Sequence, residues 1–427
     1  MSTSHSARPL MVISLDGVRP DLCRRTDELR IRLPNLREMM AAGASAEAVE
    51  SIYPSTTYPA HATLVTAVPP RVHGIYSHLA SLDPTERARP WHWFAQPIRV
   101  PALWNSASAT GLKTASVGWP VSAGAPIDYN VPEIWDAALA DPLSDLQTVA
   151  RHATPGLFEE LLRELAPLIP GSTPDQLRVE AALSIWRRYR PGLMLVHLIE
   201  YDHEAHAHGP ESRQALEALE RSDAQVGRFR GAAAERGPTN LVVLSDHGFV
   251  PVEKEAAPLV ALAEEGLFVE VNGAGWELRR LGAVHAGGSF ALYWLEKPSA
   301  EDRRALDRAI ERLKETGAVA EVVDRKRLES LSADPDAEII LDAADGYYFS
   351  NRFAGAVVQE SAKDRGTHGH LPDRKGLEAM FISTGPQVAA GKNLGKLTLV
   401  QVGRALIQLA GLPPETLAPD FEPVDLG

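Results

Sequence analysis

Short, mainly apolar runs of strand length, separated by stretches with helical spacing, restrict this chain to very few folds. The runs are Leu10–Leu15 and residues 113–118, 193–200 and 240–245. Between them, segments 157–166 and 213–235 repeat apolar residues every three to four positions and carry charge on the opposite face, as amphipathic helices do. Strands apolar on both faces that alternate with helices predict an α/β fold, a mainly parallel central sheet flanked by helices. After residue 249 the texture changes. Residues 290–296 read as a strand, 299–315 as a charged amphipathic helix and 319–323 as another strand, before 379–384 returns to a buried-strand pattern. This order predicts a small α+β subdomain inserted at 255–345, with 1–254 and 346–427 forming the main domain.

The formal net charge of -13 offers no global positive field, which argues against nucleic-acid polymers and anionic membrane surfaces as partners. No run approaches the length of a membrane span, and the first apolar run is too short for the core of a signal sequence. The one cysteine, Cys23, cannot form an intrachain disulfide, and a cytoplasmic setting is expected. The sequence leaves the oligomeric state open.

Three of the buried runs lead into aspartate. LMVISLDG ends at Asp16, LMLVHLIEYDHEAHAHGP carries Asp202 and His206, and LVVLSDHG carries Asp246 and His247. In open parallel sheets, ligands collect beyond the carboxyl ends of the strands, where these residues fall. Isolated buried carboxylates are costly, so several together call for cations, and the neighbouring imidazoles point to divalent metal. Asp202 and His206 stand at i and i+4, on one side of a helix that Gly209 and Pro210 would end. The small loop Gly366, Thr367, His368 and Gly369 can bring a further imidazole close. Carboxylate with imidazole favours zinc or manganese over calcium. A single Asp–His pair is more often a cap or a solvated pair, so the combination carries the argument. His203 is expected to be a supporting or structural residue and His208 a loop residue.

The combination resembles the alkaline phosphatase superfamily, most closely its type I phosphodiesterase/nucleotide pyrophosphatase branch. SLDGVRPDL, YPSTTYPAHATLVTAVPPRVHGI, YDHEAHAHGP, LSDHGF and GTHGHLP stand in that family's order and span Ser14 to Pro372. The resemblance implies an alkaline-phosphatase-like fold whose insertion is the family's cap. It assigns Asp202, His206 and His368 to one metal and Asp16, Asp246 and His247 to the other, usually two zinc ions. Thr57 falls at the family's nucleophile, which also touches the second metal. From the residues alone, Ser55, Thr56 and Thr57 are three adjacent hydroxyls ahead of a helix, and capping it is their ordinary job. The functional alternative places one of them at the helix N-terminus, where a phosphate anion is favoured.

The implied reaction is hydrolysis of a phosphodiester or nucleotide pyrophosphate through a phosphothreonine. Three aspartates and one alkoxide would match two divalent ions in charge. Tyr58 falls where the branch often has an aromatic residue that stacks on a nucleobase, and Trp91, Trp93 and Phe94 form a second aromatic group. His78 replaces the family's asparagine, a donor to a phosphoryl oxygen, and its titration near neutrality would alter the pH response. Phosphonate hydrolysis is an alternative, with Lys113 or Arg99 on a substrate carboxylate; others are phosphomonoesterase activity and an inactive metal or phosphate binder.

Overall fold

The computed structural model describes residues 8–427 apart from 87, 139–144, 271–275, 279 and 419. Among these, eight strands make the central sheet: β1 (Leu10–Leu15), β2 (Ala44–Ser45), β3 (Thr114–Val117), β4 (Tyr129–Val131), β5 (Leu193–Leu198), β6 (Asn240–Leu244), β7 (Phe381–Thr384) and β8 (Lys392–Asn393). Their order is β8-β2-β7-β6-β1-β5-β3-β4. Every neighbouring pair is parallel except those made by β7, which runs against both β6 and β2. The chain enters β7 from the edge of the sheet where His368 sits, and so runs back across it.

Alternation along β1 divides the apolar residues between two cores. Met11, Ile13 and Leu15 face α2 (Pro174–Tyr189) and α4 (Arg213–Arg236), through Ile185, Trp186, Leu219 and Phe229. Leu10 and Val12 face α1 (Thr57–Thr66) and α5 (Leu399–Ala410), through Leu64, Val65, Val402 and Leu406. Burial on both faces explains why these strands read as continuous apolar runs.

A second sheet, antiparallel and four-stranded, lies within the span 255–345, in the order Leu281–His285, Ser289–Trp294, Ile339–Ala343, Val319–Asp324. The helix Ala300–Glu315 packs on it through Leu306, Ala309, Ile310 and Leu313, and the same core reaches on to Phe349 and Val357. Ser299 begins this helix as its N-cap, exchanging hydrogen bonds with Asp302. No described helix is long and apolar enough to cross a membrane.

His73 ties α1 to the HGI turn. Its Nε2–H donates to Thr63 Oγ1 (3.0 Å), because the threonine proton is already given to Pro59 O (3.0 Å), and its Nδ1 accepts from Ile75 N (3.1 Å). Burial and the Arg99 guanidinium push His73 down to about 3 from an ordinary value of 6.5. Below 6.5 the folded state therefore binds fewer protons than the unfolded chain, and stability falls as pH drops towards 3. The slope from this residue is at most about 1.4 kcal/mol per pH unit. His73→Gln is expected to flatten the acid limb of a plot of melting temperature against pH; the same slope in both proteins would remove His73 from the account.

Candidate active site

β1, β5 and β6 pair in register, Leu15 opposite Leu198 and Ser14 opposite Leu244, so the chain leaves all three at one edge. Asp16 follows β1 directly, and Asp246 and His247 follow β6 after Ser245. α3 (Glu200–His208) begins just beyond β5 and carries Asp202 and His206 one turn apart. Its first amides are satisfied by the buried Asp175 carboxylate, which accepts from Ile199 N and Glu200 N at 2.8–3.0 Å. His368 arrives from the inserted segment's side. Gly288 N donates to His368 O at 2.7 Å, and Leu371 N donates to Asp342 Oδ1 at 2.7 Å. Gly369 has φ +92°, and a Cβ there would lie 1.8 Å from Ala286 O, so only glycine lets the loop close on the hairpin.

Two trios of ligating side chains converge here: Asp202, His206 and His368, and Asp16, Asp246 and His247, the donor atoms of each lying within 4.8 Å of one another. The His247 and His368 rings stack at 3.8 Å between centroids, which sets the trios side by side. Each imidazole gives its Nδ1–H to a backbone carbonyl: His206 to Gly366 O (3.1 Å), His368 to Ser55 O (3.0 Å) and His247 to Gly248 O (3.0 Å). A neutral ring so held keeps a lone pair on Nε2. The Nε2 atoms face carboxylates: His206 and His368 lie 3.7 and 3.8 Å from Asp202 oxygens, and His247 lies 3.4 Å from Asp16 and 3.2 Å from Asp246.

Two acceptors facing at these separations repel, whereas ligands of one tetrahedral zinc ion, at bonds of about 2.0–2.1 Å, sit roughly 3.3 Å apart. Asp16 Oδ1, Asp202 Oδ1 and Asp246 Oδ2 are buried and take no hydrogen bond. The donor set therefore fits divalent cations. Burial pushes Asp16 and Asp202 well above the usual carboxylate range, with Asp246 adding to both. Against its own burial, Asp246 is held low by His247, His61, His197 and the Gly17 amide. Burial takes His206 down to about 4 and His368 well below its ordinary value, leaving their rings neutral.

Of the three adjacent hydroxyls, only Thr57 points into this cluster, with Oγ1 3.3 Å from His247 Nε2. Ser55 Oγ is spent on His370 O, and Thr56, the N-cap of α1, makes no side-chain cap bond. Behind the site, His61 gives Nδ1–H to Thr57 O (2.8 Å) and accepts from Ser14 Oγ (2.9 Å).

Sequence reasoning missed His197 and Glu133. His197 Nε2 donates to Asp16 Oδ2 (3.0 Å) and Nδ1 lies 3.2 Å from Glu133 Oε2, so both ring nitrogens face acceptors. Against burial, these two carboxylates raise His197 to about 10, and Glu133 is held at about 2 by His197, Arg178 and Tyr58. The available signal was a lone histidine inside the apolar run LMLVHL, where a buried polar ring demands partners.

The substrate-facing expectations need correction. Tyr58 is fully buried and its hydroxyl donates to Glu133 (3.0 Å), so its ring is part of the core below Thr57 and offers no open face to a base. His78 is only partly buried, but desolvation, with His285, Arg89 and His92 nearby, pushes it well below its ordinary value. Its surroundings disfavour the charged ring. Lys113 precedes β3 and lies at the amino end of the sheet, opposite the trios, which removes it as an anchor for a substrate carboxylate. Arg99 packs over the Tyr76 ring and donates to its hydroxyl (2.8 Å). Trp93 is buried, Phe94 is exposed beside His152, and Trp91 lies against His78. His203 is exposed, and His208 closes α3 beside Glu204 instead of lying in a loop.

Known proteins share this architecture. Murine ectonucleotide pyrophosphatase/phosphodiesterase 5, solved in complex with AMP, superposes with a TM-score of 0.66 at 16% identity, covering 95% of this chain and 96% of that one. Its human counterpart gives 0.65 at 15% identity, over the same shares. The fold is thus alkaline-phosphatase-like. In sequence, the chain is 27% identical over 256 residues to ectonucleotide pyrophosphatase/phosphodiesterase family member 3 of Rattus norvegicus, 56% of this chain and 25% of that protein. It is 26% identical over 256 residues to venom phosphodiesterase 2 of Crotalus adamanteus, 56% of this chain and 26% of that protein. The chain thus spans about a quarter of the length of these relatives. The model of type I phosphodiesterase/nucleotide pyrophosphatase matches residues 10–371, a stretch that takes in both trios, Thr57 and the inserted sheet, and the chain therefore belongs to that family, within the alkaline phosphatase superfamily.

Proposed function

We propose that the chain hydrolyses phosphodiester or pyrophosphate bonds with Thr57 as nucleophile and a covalent phosphothreonine as intermediate. The observation that carries this reading is the Thr57 hydroxyl, 3.3 Å from His247 Nε2, which itself faces Asp16 and Asp246, with the second trio alongside. Two divalent cations, zinc first and manganese second, would supply when bound the positive charge that favours the threonine alkoxide and steadies the leaving oxygen. Asp16, Asp246 and His247 would hold one, and Asp202, His206 and His368 the other.

Thr57 Oγ1 gives up its proton to solvent and forms a bond to phosphorus as the bond to the leaving oxygen breaks, and that oxygen takes a proton from solvent and departs as an alcohol. A water oxygen then bonds to phosphorus and loses one proton, the bond to Oγ1 breaks, and Oγ1 takes up a proton to restore the Thr57 hydroxyl. The N-terminus of α1, where Thr57 is the first residue, favours the anion being transferred. The neutral His78 ring retains an N–H to donate to a phosphoryl oxygen. His197 and Glu133 orient Asp16 from behind, as supporting groups do at metal sites. The relatives named as phosphodiesterases support the bond class.

A panel with added zinc or manganese tests the reading: an aryl phosphodiester, a nucleotide diester, an aryl phosphomonoester and phosphonoacetate. The diesters are expected to turn over fastest. A monoester or phosphonoacetate turned over faster by orders of magnitude would overturn the assignment.

A further inference from the structure

Asp342 lies on an interior strand of the inserted sheet, Ile339–Ala343, and is fully buried, yet both of its oxygens are taken by the segment that follows His368. Leu371 N donates to Oδ1 (2.7 Å) and Arg374 Nη2 to Oδ2 (2.8 Å). The same Nη2 reaches Ala343 O (2.6 Å), Nη1 reaches Asp345 (2.6 Å), and Arg374 N closes the turn on Leu371 O (3.1 Å). A buried carboxylate needs such compensation, so its charge draws the segment onto the sheet. The hairpin tip between Leu281–His285 and Ser289–Trp294 completes the hold. Gly288 N donates to His368 O (2.7 Å) and Gly288 O accepts from Ala343 N (2.8 Å), which links the backbone of His368 to the strand of Asp342. The approach is close: a Cβ on Gly287 would lie 2.7 Å from His368 O.

The two trios differ in what carries them. Asp16 follows β1, and Asp246 and His247 follow β6, both strands of the central sheet. His368 instead stands in a loop bonded to the inserted sheet on one side and to Ser55 on the other. We propose that Asp342 is a positioning residue of the Asp202, His206 and His368 site, and that the inserted sheet acts through it as a structural part of that site. A divalent cation is held there at full strength only while the Asp342–Arg374 pair keeps the loop docked. This rests on the two-cation reading above and deepens it. Asp342→Asn keeps an acceptor for Leu371 N but turns an amide N–H towards Arg374 Nη2, and so breaks the pair with almost no change of volume.

The test is zinc titration of the metal-free full chain by calorimetry, with the second site identified as the binding event lost in His206→Ala. Asp342→Asn is expected to weaken that event by about tenfold or more and to leave the other within about twofold. Asp334→Asn is the control. It removes another buried carboxylate of the inserted segment, one bonded to Tyr293 Oη and Asp336 N, and should move neither event. If Asp342→Asn does not fold, Arg374→Gln serves, with the same split at smaller size. Unchanged affinities, an equal loss at both sites, or the same split in Asp334→Asn overturns the inference while leaving the hydrolase reading intact. If the wild type takes up fewer than two ions, the two-cation reading fails, and crystal structures of the metal-free wild type and Asp342→Asn decide the role of Asp342. A His368 ring that leaves its stack on His247 supports it; a ring that stays overturns it.

Discussion

Thr57→Ala is expected to lower kcat/KM for a phosphodiester by about 10⁴-fold, roughly 5 kcal/mol of transition-state stabilisation, while the melting temperature stays put. The size of the loss reflects how little remains without the hydroxyl. Neither neighbouring hydroxyl can replace it, since Ser55 Oγ is committed to His370 O and Thr56 Oγ1 leans on Pro54 O. Stability should survive because Thr57 is half-buried and caps nothing. Thr57→Ser keeps the hydroxyl and should keep a measurable fraction of turnover, with a phosphoserine trapped on rapid acid quench. Normal turnover by Thr57→Ala would end the covalent mechanism.

Removal of divalent cations should have the next largest effect. Stripping them leaves Asp16, Asp202 and Asp246 gathered together, each with a buried oxygen that takes no hydrogen bond, opposite three imidazoles. Chelation is therefore expected to abolish turnover and lower the melting temperature. Restoring zinc at 100 times the dissociation constant should return about 2.7 kcal/mol of stability per site. Metal analysis of the reloaded protein should find two ions per chain, and one in Asp246→Asn, which preserves the Gly17 amide contact but removes a charge. One tight ion in the wild type, or a melting temperature indifferent to chelation, would refute the paired-cation arrangement.

These expectations drew unequally on the sequence. The parallel sheet was legible because β1, β5 and β6 are buried on both faces and so read as unbroken apolar runs, and Asp16 and Asp246 were legible as the carboxylates just past their ends. The pairing of Asp202 with His206 came from helical spacing alone. His368 was offered by its small loop as a further imidazole but was assigned to its trio only by resemblance: 120 residues lie between it and His247, and no local periodicity links them. Tyr58 was misjudged because adjacency to Thr57 along the chain says nothing about which way a ring at the second residue of a helix turns. It turns inward, to Glu133. The expectation for His78 failed similarly, since its ordinary titration range holds only for a solvated ring, and here the surroundings disfavour the charged form.

By itself the sequence determined that carboxylates and imidazoles would gather at the carboxyl edge of a parallel sheet, because strand periodicity and the chain order of the motifs are local properties. Tertiary structure alone decided how those groups are aimed. His206 and His368 present lone pairs to Asp202 because their opposite nitrogens are anchored to Gly366 O and Ser55 O, and Asp16 is steered by His197 and Glu133. Hydrogen bonds between residues far apart in the chain set these orientations, and a hydrogen bond's direction exists only once both partners have been brought together by the packing of the fold.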